Sequence, residues 1–459
     1  MASANVGLLT YNSGVFHTTS TYYAPSVIVP TTGQYLSSIY CFLSEVNTWP
    51  TETDPPVPEQ SQKYIKDLYK NMFIAKRITS NEMSPVVARI DWRYGDVYDY
   101  YRDDIDMFQK DPNGTITRRF YVRNKFDQVF KCLWNNNGTT STKEPYFEPG
   151  TYSTNNVYQG TDGYKWKYMY TITYANKIKF LDDTWMPVPM SASVPNAVDT
   201  FAGAGSIDVI NITNGGSGYD PTNASIRVTV TGDGKYASGN VTVTSGVITD
   251  ISVANTGSNY TYANVAITST IGSGATAVVY PSPIGGHGFN PISELGCMHV
   301  MITASFDKSE SGLLPTDIDF RQIGLISSPY VYYGDEKMLA NGSIYQLTTD
   351  YIVSTGSGAY TKDEIVFQSN NGLLSDAYFT AIALSFDLTS NQLKLLNNQG
   401  TANLNQIFYG NDSGTGRVAL QKNDSIFVPF SGYLMYIENR QAVTRSADGS
   451  EQFKLVLGY

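Results

Sequence analysis

Cysteine is scarce in this 459-residue chain. Cys41, Cys132 and Cys297 are odd in number, widely spaced and form no CxxC pair. That excludes a disulfide framework and the ligand spacing of a structural zinc site, so three buried thiols are expected. Histidine is as rare, with His17, His287 and His299 alone, and no Ser or Cys stands in a nucleophile elbow. Ser217 in GGSGY lacks the second spaced glycine of GxSxG, so no hydrolytic triad is expected. No apolar run approaches the roughly eighteen residues needed to cross a bilayer, and MASANVGLLTYNSG has neither a basic start nor a hydrophobic region. The reading is therefore a soluble, unsecreted protein with no membrane partner. Positive charge is also short: Lys and Arg total 31 against 41 acids, the net charge is -10, and no basic block offsets it. Such a chain repels a phosphate backbone, and no nucleic-acid partner is expected.

The remaining chemical signals are weak. The glycine-rich pieces NGGSGY, GSGAT and GGHGF contain neither GxxxxGK[ST] nor a strand-bounded GxGxxG, so no phosphate cradle and no cofactor are expected. DPNG from Asp111 and GDG from Gly232 lack the spaced oxygens of a calcium loop and read as turns, leaving no metal expected. Acids cluster at Asp103, Asp104 and Asp106, at Asp182 and Asp183, and at Asp317 and Asp319. Paired carboxylates can cleave glycosidic bonds, but surface acids are common, and these read as solvated loops or partner-facing charge. No catalytic residue is assigned, and the chain is not expected to be an enzyme.

What the sequence does hold is tyrosine (35), glycine (39) and much Asn, Ser and Thr, a composition of strands joined by turns. The expected class is mainly β, with few helices. Tyrosine in such excess serves either partner contacts or cross-strand pairing, and composition leaves both open. One convincing helix is expected near 58–77, in PVPEQSQKYIKDLYKNMFIAKRI. There Pro58 and Glu59 suit a first turn, and Tyr64, Leu68, Met72 and Ile65, Tyr69, Phe73 form adjacent i, i+4 rows. Later, FYVRNKFDQVFKCLW and GYKWKYMYTITY alternate as strands. Tyr164, Trp166, Tyr168 and Tyr170 fall on one face and Lys165, Lys167, Met169 and Thr171 on the other, predicting a sheet with one aromatic, buried face.

Composition changes from Ser191 to Gly286, where only seven of ninety-six residues are charged against about fifteen at the chain average of 16%. Within that stretch ITNGGSGY (212–219) returns as VANTGSNY (253–260), and Ile210 aligns with Ile251, Gly216 with Gly257 and Tyr219 with Tyr260. Each copy is a strand, a Gly/Ser/Asn turn, a Tyr and a second strand. Two copies are too few for a solenoid, so a compact duplicated β module is expected, its glycines forming turns and its tyrosines plugging the core. A second β-rich stretch, with loops STGSGAY and GNDSGTGR, follows, and the chain ends on strands that should be tied into a sheet.

Four stretches in order resemble one family, the gene-product-eight baseplate wedge proteins of T-even-like contractile-tailed phages. They are SIYCFLSEVNTWP with its Pro-rich follow-up, helix and ARIDWRYGD; VFKCLWNN with TDGYKWKYMYTI; DIDFRQIGLISSP; and the terminal GYLMYIENRQAVTRSADGSEQFKLVLGY. ENRQAV departs from the family's Pro after ENR and one residue, and two long insertions separate the motifs. The resemblance implies an antiparallel β-sandwich core with two inserted small β domains. It divides the chain into core (1–194), inserted duplicated module (195–286), core (287–330), second insertion (331–426) and closing strands (427–459). It further implies a structural virion protein of the tail baseplate, assembled in the host cytoplasm. Such a protein acts in baseplate assembly and in the rearrangement that triggers contraction. The expected partners are a second copy in a homodimer and other wedge proteins, with neighbouring wedges or tail fibres as further candidates. Tyr164, Trp166, Tyr168 and Tyr170, with Glu438, Asn439 and Arg440, are the candidate framework and interaction residues, Arg440 as a bidentate anchor for a buried carboxylate. A host-surface glycan binder built on the Tyr- and Asn-bearing module is the alternative, and a polysaccharide-cleaving enzyme rests on the acid clusters alone.

Overall fold

A computed structural model describes residues 38–111, 116–148, 156–190, 205–222, 225–316, 318–446 and 449–458, with the backbone of three short strands before residue 23. His17, the turn residues 112–114, Asp317, the boundary near 195 and Tyr459 lie outside the described residues. The fold is mainly β and antiparallel, and the described helices are few and short. The chain divides into two compact units, Met1–Met83 with Ile302–Tyr459, and Ser84–Met301. The division therefore cuts through the expected 1–194 core, because its early strands find their ladder partners far downstream.

In the first unit a five-stranded sheet runs in the order Ile344–Gln346, Ile74–Ile78, Ile39–Ser44, Asp319–Ser327, Tyr433–Thr444. Its central strand IYCFLS is buried on both faces, as a near-continuous apolar run should be. Tyr40 and Phe42 face a core with Leu68, Met72 and Ile326. On the opposite face, Cys41, Ile323, Leu325 and Tyr436 line one small space together with Ile302, Ala304, Phe453 and Leu455 of a second layer. In that layer Ser450–Gly458 pairs with Ala4–Tyr11, so the C-terminal strand is built into a sheet. Gly324 is enclosed by its two neighbouring strands: a Cβ there would lie 2.3 Å from the Phe42 ring and 2.4 Å from the Tyr436 carbonyl.

The helix is shorter than 58–77. It spans Gln62–Asn71, starts at Ser61, whose hydroxyl accepts from the Tyr64 amide at 3.2 Å, and stops at extended Met72. Pro58 and Glu59 precede the cap. Ile74–Ile78 is a strand registered on Ile39–Ser44, because β-branched residues beside an open ladder edge gain more from pairing than from another helical turn.

Thr349–Asn423 closes into a barrel of six antiparallel strands around Tyr351, Val366, Phe379, Leu393, Leu395 and Phe408. It is smaller than the 331–426 stretch. Ile344–Gln346 still pairs with Ile74–Ile78, and Val331, Ala340 and Tyr345 pack into the helix-covered core, so the chain leaves the core sheet only after Gln346.

In the second unit, Tyr121–Arg123, Gln128–Trp134, Lys165–Thr171 and Val157–Gln159 form a four-stranded sheet. The duplicated module contributes three ladders: Asn211–Ser217 with Ser273–Val278, Arg227–Gly232 with Ala263–Thr268, and Ser238–Thr244 with Val247–Asn255. Tyr219 and Tyr260 are buried in its core with Ile207, Ile210, Ile248, Ile251 and Val279. The halves interlock. The Tyr219 hydroxyl accepts from the Ala275 amide and packs on Gly272, while the Tyr260 hydroxyl accepts from the Ala237 amide and packs on Gly234. Each repeat thus plugs the other.

Candidate functional site

Two constellations stand out, one in each unit. In the first, strand Tyr433–Thr444 lies against Asp319–Ser327 with Gln322 opposite Asn439 and Ile323 opposite Glu438. The Asn439 side-chain oxygen accepts from the Tyr64 hydroxyl at 2.9 Å and from Gln322 Nε2 at 2.6 Å, and its amide donates to the Pro56 carbonyl at 2.7 Å. The Trp49 indole donates to the Arg440 carbonyl at 2.7 Å. Glu52 accepts from Arg321 Nε at 2.7 Å and from the Ala442 amide at 3.3 Å. The WPTETDPP loop, the helix and two strands far apart in sequence are thereby held at one node. Arg321 and Gln322 are almost wholly buried there.

Arg440 shares its strand face with the carboxylate of Glu438, but the two are not in bidentate contact. Its Nε approaches Glu438 Oε1 only at 3.8 Å, while Glu438 Oε2 accepts from the Tyr436 hydroxyl at 2.7 Å. Successive residues of a strand point to opposite faces, so a pair two apart shares a face without facing head-on. The better-formed buried pair is Arg445 with Glu451, at 2.8 Å between Nε and Oε2, with the Pro315 and Lys308 carbonyls taking the other guanidinium hydrogens.

The second constellation surrounds strand Lys165–Thr171. Tyr164, Trp166 and Tyr168 pack with Tyr98, Val122, Phe130 and Cys132, Tyr164 and Trp166 stacking at 5.5 Å. Tyr170 does not share that face. The register slips between Tyr168 and Tyr170, and the bulge turns Tyr170 into another cluster with Met169, Tyr121, Val129 and Met186, its hydroxyl on the Pro187 carbonyl at 3.0 Å. Nor is the lysine face open to water. Lys167 Nζ meets Asp208 Oδ2 at 2.8 Å, and Lys165 Nζ meets the Ile210 carbonyl at 3.1 Å and Asp250 at 3.3 Å. One strand over, Lys131 Nζ meets Glu294 Oε2 at 3.1 Å and His287 Nδ1 at 3.2 Å, beneath the Tyr101 ring.

These charges are sealed: Lys131 and Lys167 are each 1% exposed. Burial alone would raise Glu294, yet Lys131 and His287 hold its carboxyl down to about 2. Burial likewise works against Asp208, and Lys167, His287 and Ser206 outweigh it, holding it low. Burial draws Lys131 down, against the pull of Glu294. Burial also lowers His287, and the Lys131 cation lowers it further. Ser206 completes the group, its hydroxyl 2.9 Å from both Asp208 and the Ser282 hydroxyl. The arrangement is an electrostatic clasp: residues at both ends of the duplicated module, Asp208 and His287, meet lysines of the four-stranded sheet.

Reading the sequence missed this clasp. Its one signal was lysine inside apolar strand text, in VFKCLW and YKWKYMY, where alternation reads as a solvated face. Asp104 pairs with its neighbour Arg102, Asp182 accepts from the Thr184 and Trp185 amides, and Asp319 meets Lys362 at 3.3 Å. All three cysteines are free and buried. Among the described residues, no group of three or more His, Cys, Asp or Glu side chains could hold a metal ion. Comparison of the chain with models of known protein families and with curated proteins finds no match.

Proposed function

We propose that this chain is a structural subunit of a contractile phage tail baseplate. In that role it acts as a homodimer within each wedge, binds other wedge proteins and follows the rearrangement that accompanies contraction. The observation that carries the reading is the node at Asn439. Three of the four sequence stretches that resemble the wedge family, around Trp49 and Glu52, around Arg321 and Gln322, and at Glu438–Arg440, meet there through direct hydrogen bonds. Motifs that lie up to 391 residues apart and yet share one node have a common framework role. Most of the charged groups in both constellations are paired with one another, as Arg321 with Glu52, Lys131 with Glu294 and Lys167 with Asp208, which suits a scaffold that must transmit load without reacting.

Sedimentation of the purified chain tests the proposal, alone and mixed with contractile-tail wedge proteins. A dimer at micromolar concentration that enters a larger complex is expected, with more than about 2,000 Å² buried for an obligate pair. A monomer that joins no wedge protein would overturn it.

A further inference from the structure

The duplicated module contains its own control for backbone strain. Its internal symmetry matches Lys235 with Ser273, since Lys235 bridges Ser258 as Ser273 pairs with Ser217, and it matches Ala237 with Ala275 beneath the two plugging tyrosines. Tyr236 therefore corresponds to Gly274. Both backbones are left-handed, with φ of 70° at Tyr236 and 86° at Gly274. Glycine takes that conformation without a Cβ clash, whereas a bulky residue does so only against strain. Burial does not offset the strain, because Tyr236 is 77% exposed and its ring makes no hydrogen bond or ring contact among the described residues. The sister repeat carries a glycine at this left-handed position and this one carries a tyrosine.

A second exposed tyrosine lies in the segment that hydrogen-bonds Asp233, three residues before Tyr236. Tyr262 is 58% exposed and immediately precedes strand Ala263–Thr268, whose Ala263 pairs with Gly232. Asp233 joins the two positions: its carboxylate accepts from the Thr261 amide at 2.9 Å, the Thr261 hydroxyl at 2.6 Å and the Tyr262 amide at 3.3 Å. The Thr261 hydrogen bonds hold the Asp233 carboxyl down to about 2. The Ala263–Thr268 ladder turns Thr229, Thr231, Asn264 and Thr268 outward and Val228, Val230, Val265 and Ile267 inward. Isolated aromatic faces, one ionised acceptor and a hydroxyl- and amide-lined surface suit a flat, polyhydroxylated ligand. A protein interface would instead present a contiguous apolar centre.

We infer that Tyr236, Tyr262 and Asp233 form a carbohydrate-binding site on the module: the tyrosine rings stack on the apolar faces of pyranose units and Asp233 accepts from their hydroxyls. The inference stands apart from the wedge proposal, which survives its failure. The test uses the full chain, an array of bacterial-surface oligosaccharides and thermal melting. Tyr236→Gly is expected to raise the melting temperature by roughly 2–4 °C, since it restores the residue of the sister repeat, while weakening oligosaccharide retention at least about tenfold. Tyr262→Ala is expected to weaken retention with the melting temperature unchanged. A wild-type chain that retains no oligosaccharide, or a Tyr236→Gly chain that retains them as well as wild type, overturns the site. If Tyr236→Gly weakens binding to a wedge protein instead, the strained tyrosine is a protein contact and the carbohydrate assignment fails.

Discussion

Replacing Lys131 by Met removes one charge from the clasp and leaves the other behind. Glu294 would remain buried, with its Oε1 still accepting from the Gly288 amide at 2.8 Å and its Oε2 stripped of the ammonium. Breaking a buried pair on one side costs about 3–5 kcal/mol, because the surviving charge keeps its desolvation penalty without its Coulomb partner. For a unit of this size each kcal/mol moves the transition by about 2–4 °C, so the melting of unit Ser84–Met301 should fall by roughly 6–20 °C. The pH dependence separates this cause from lost packing. Lys131 holds His287 down, and without it Glu294 draws a proton onto the imidazole, so His287 titrates higher. Mild acidification should then narrow the gap between variant and wild type. The double change Lys131→Met with Glu294→Gln removes both charges, keeps an acceptor for Gly288, and should recover most of the loss. Calorimetric melts at pH 7.5 and 5.5 provide the readout. A single-variant loss below about 1 kcal/mol, or a double variant no better than the single, refutes the reasoning.

Acid should weaken the wild type in two stages. Burial lowers His287, and lowers His299 to about 4, so below their ordinary 6.5 the unfolded chain binds protons that the folded chain refuses. Stability should fall from pH 6.5 toward 4. It should fall again between 4.5 and about 2 as Glu294 gains its proton, and a flat profile in melts from pH 7.5 to 4 would count against the sealed histidines. Asn439→Ala removes the acceptor shared by the Tyr64 hydroxyl and Gln322 Nε2, which keep their mutual hydrogen bond at 2.9 Å, and the lost bonds should cost about 1–3 kcal/mol. It should also expose residues 49–58 to protease, and an unchanged digestion rate would deny the node its role. Gly324→Val pushes methyl groups into the Phe42 ring and the Tyr436 carbonyl and should destabilise unit 1 by at least about 1–3 kcal/mol, measured by urea unfolding.

The class, the helix around Leu68, the buried thiols and the module's repeat could be read from the chain because each depends on short-range order. Turn chemistry, i, i+4 rows and a forty-one-residue echo need no knowledge of distant partners. Alternation failed at Tyr170, where a bulge reversed the face, and at Lys165 and Lys167. Strand periodicity names two faces and cannot say that both will be covered. The helix was overdrawn because Ile74–Ile78 answers to Ile39–Ser44, a pairing no local window contains.

The sequence by itself determined that this protein is an assembly of antiparallel strands with a duplicated module whose tyrosines would be plugs. Only the tertiary structure decided which repeat each plug enters, which distant segments Asn439 ties together, and that Lys131 and Lys167 face buried carboxylates. The physical reason is that hydrogen bonds and ion pairs across such separations depend on where the backbone brings the two groups. That placement comes from ladder register and layer packing, and neither is written at any single position of the chain.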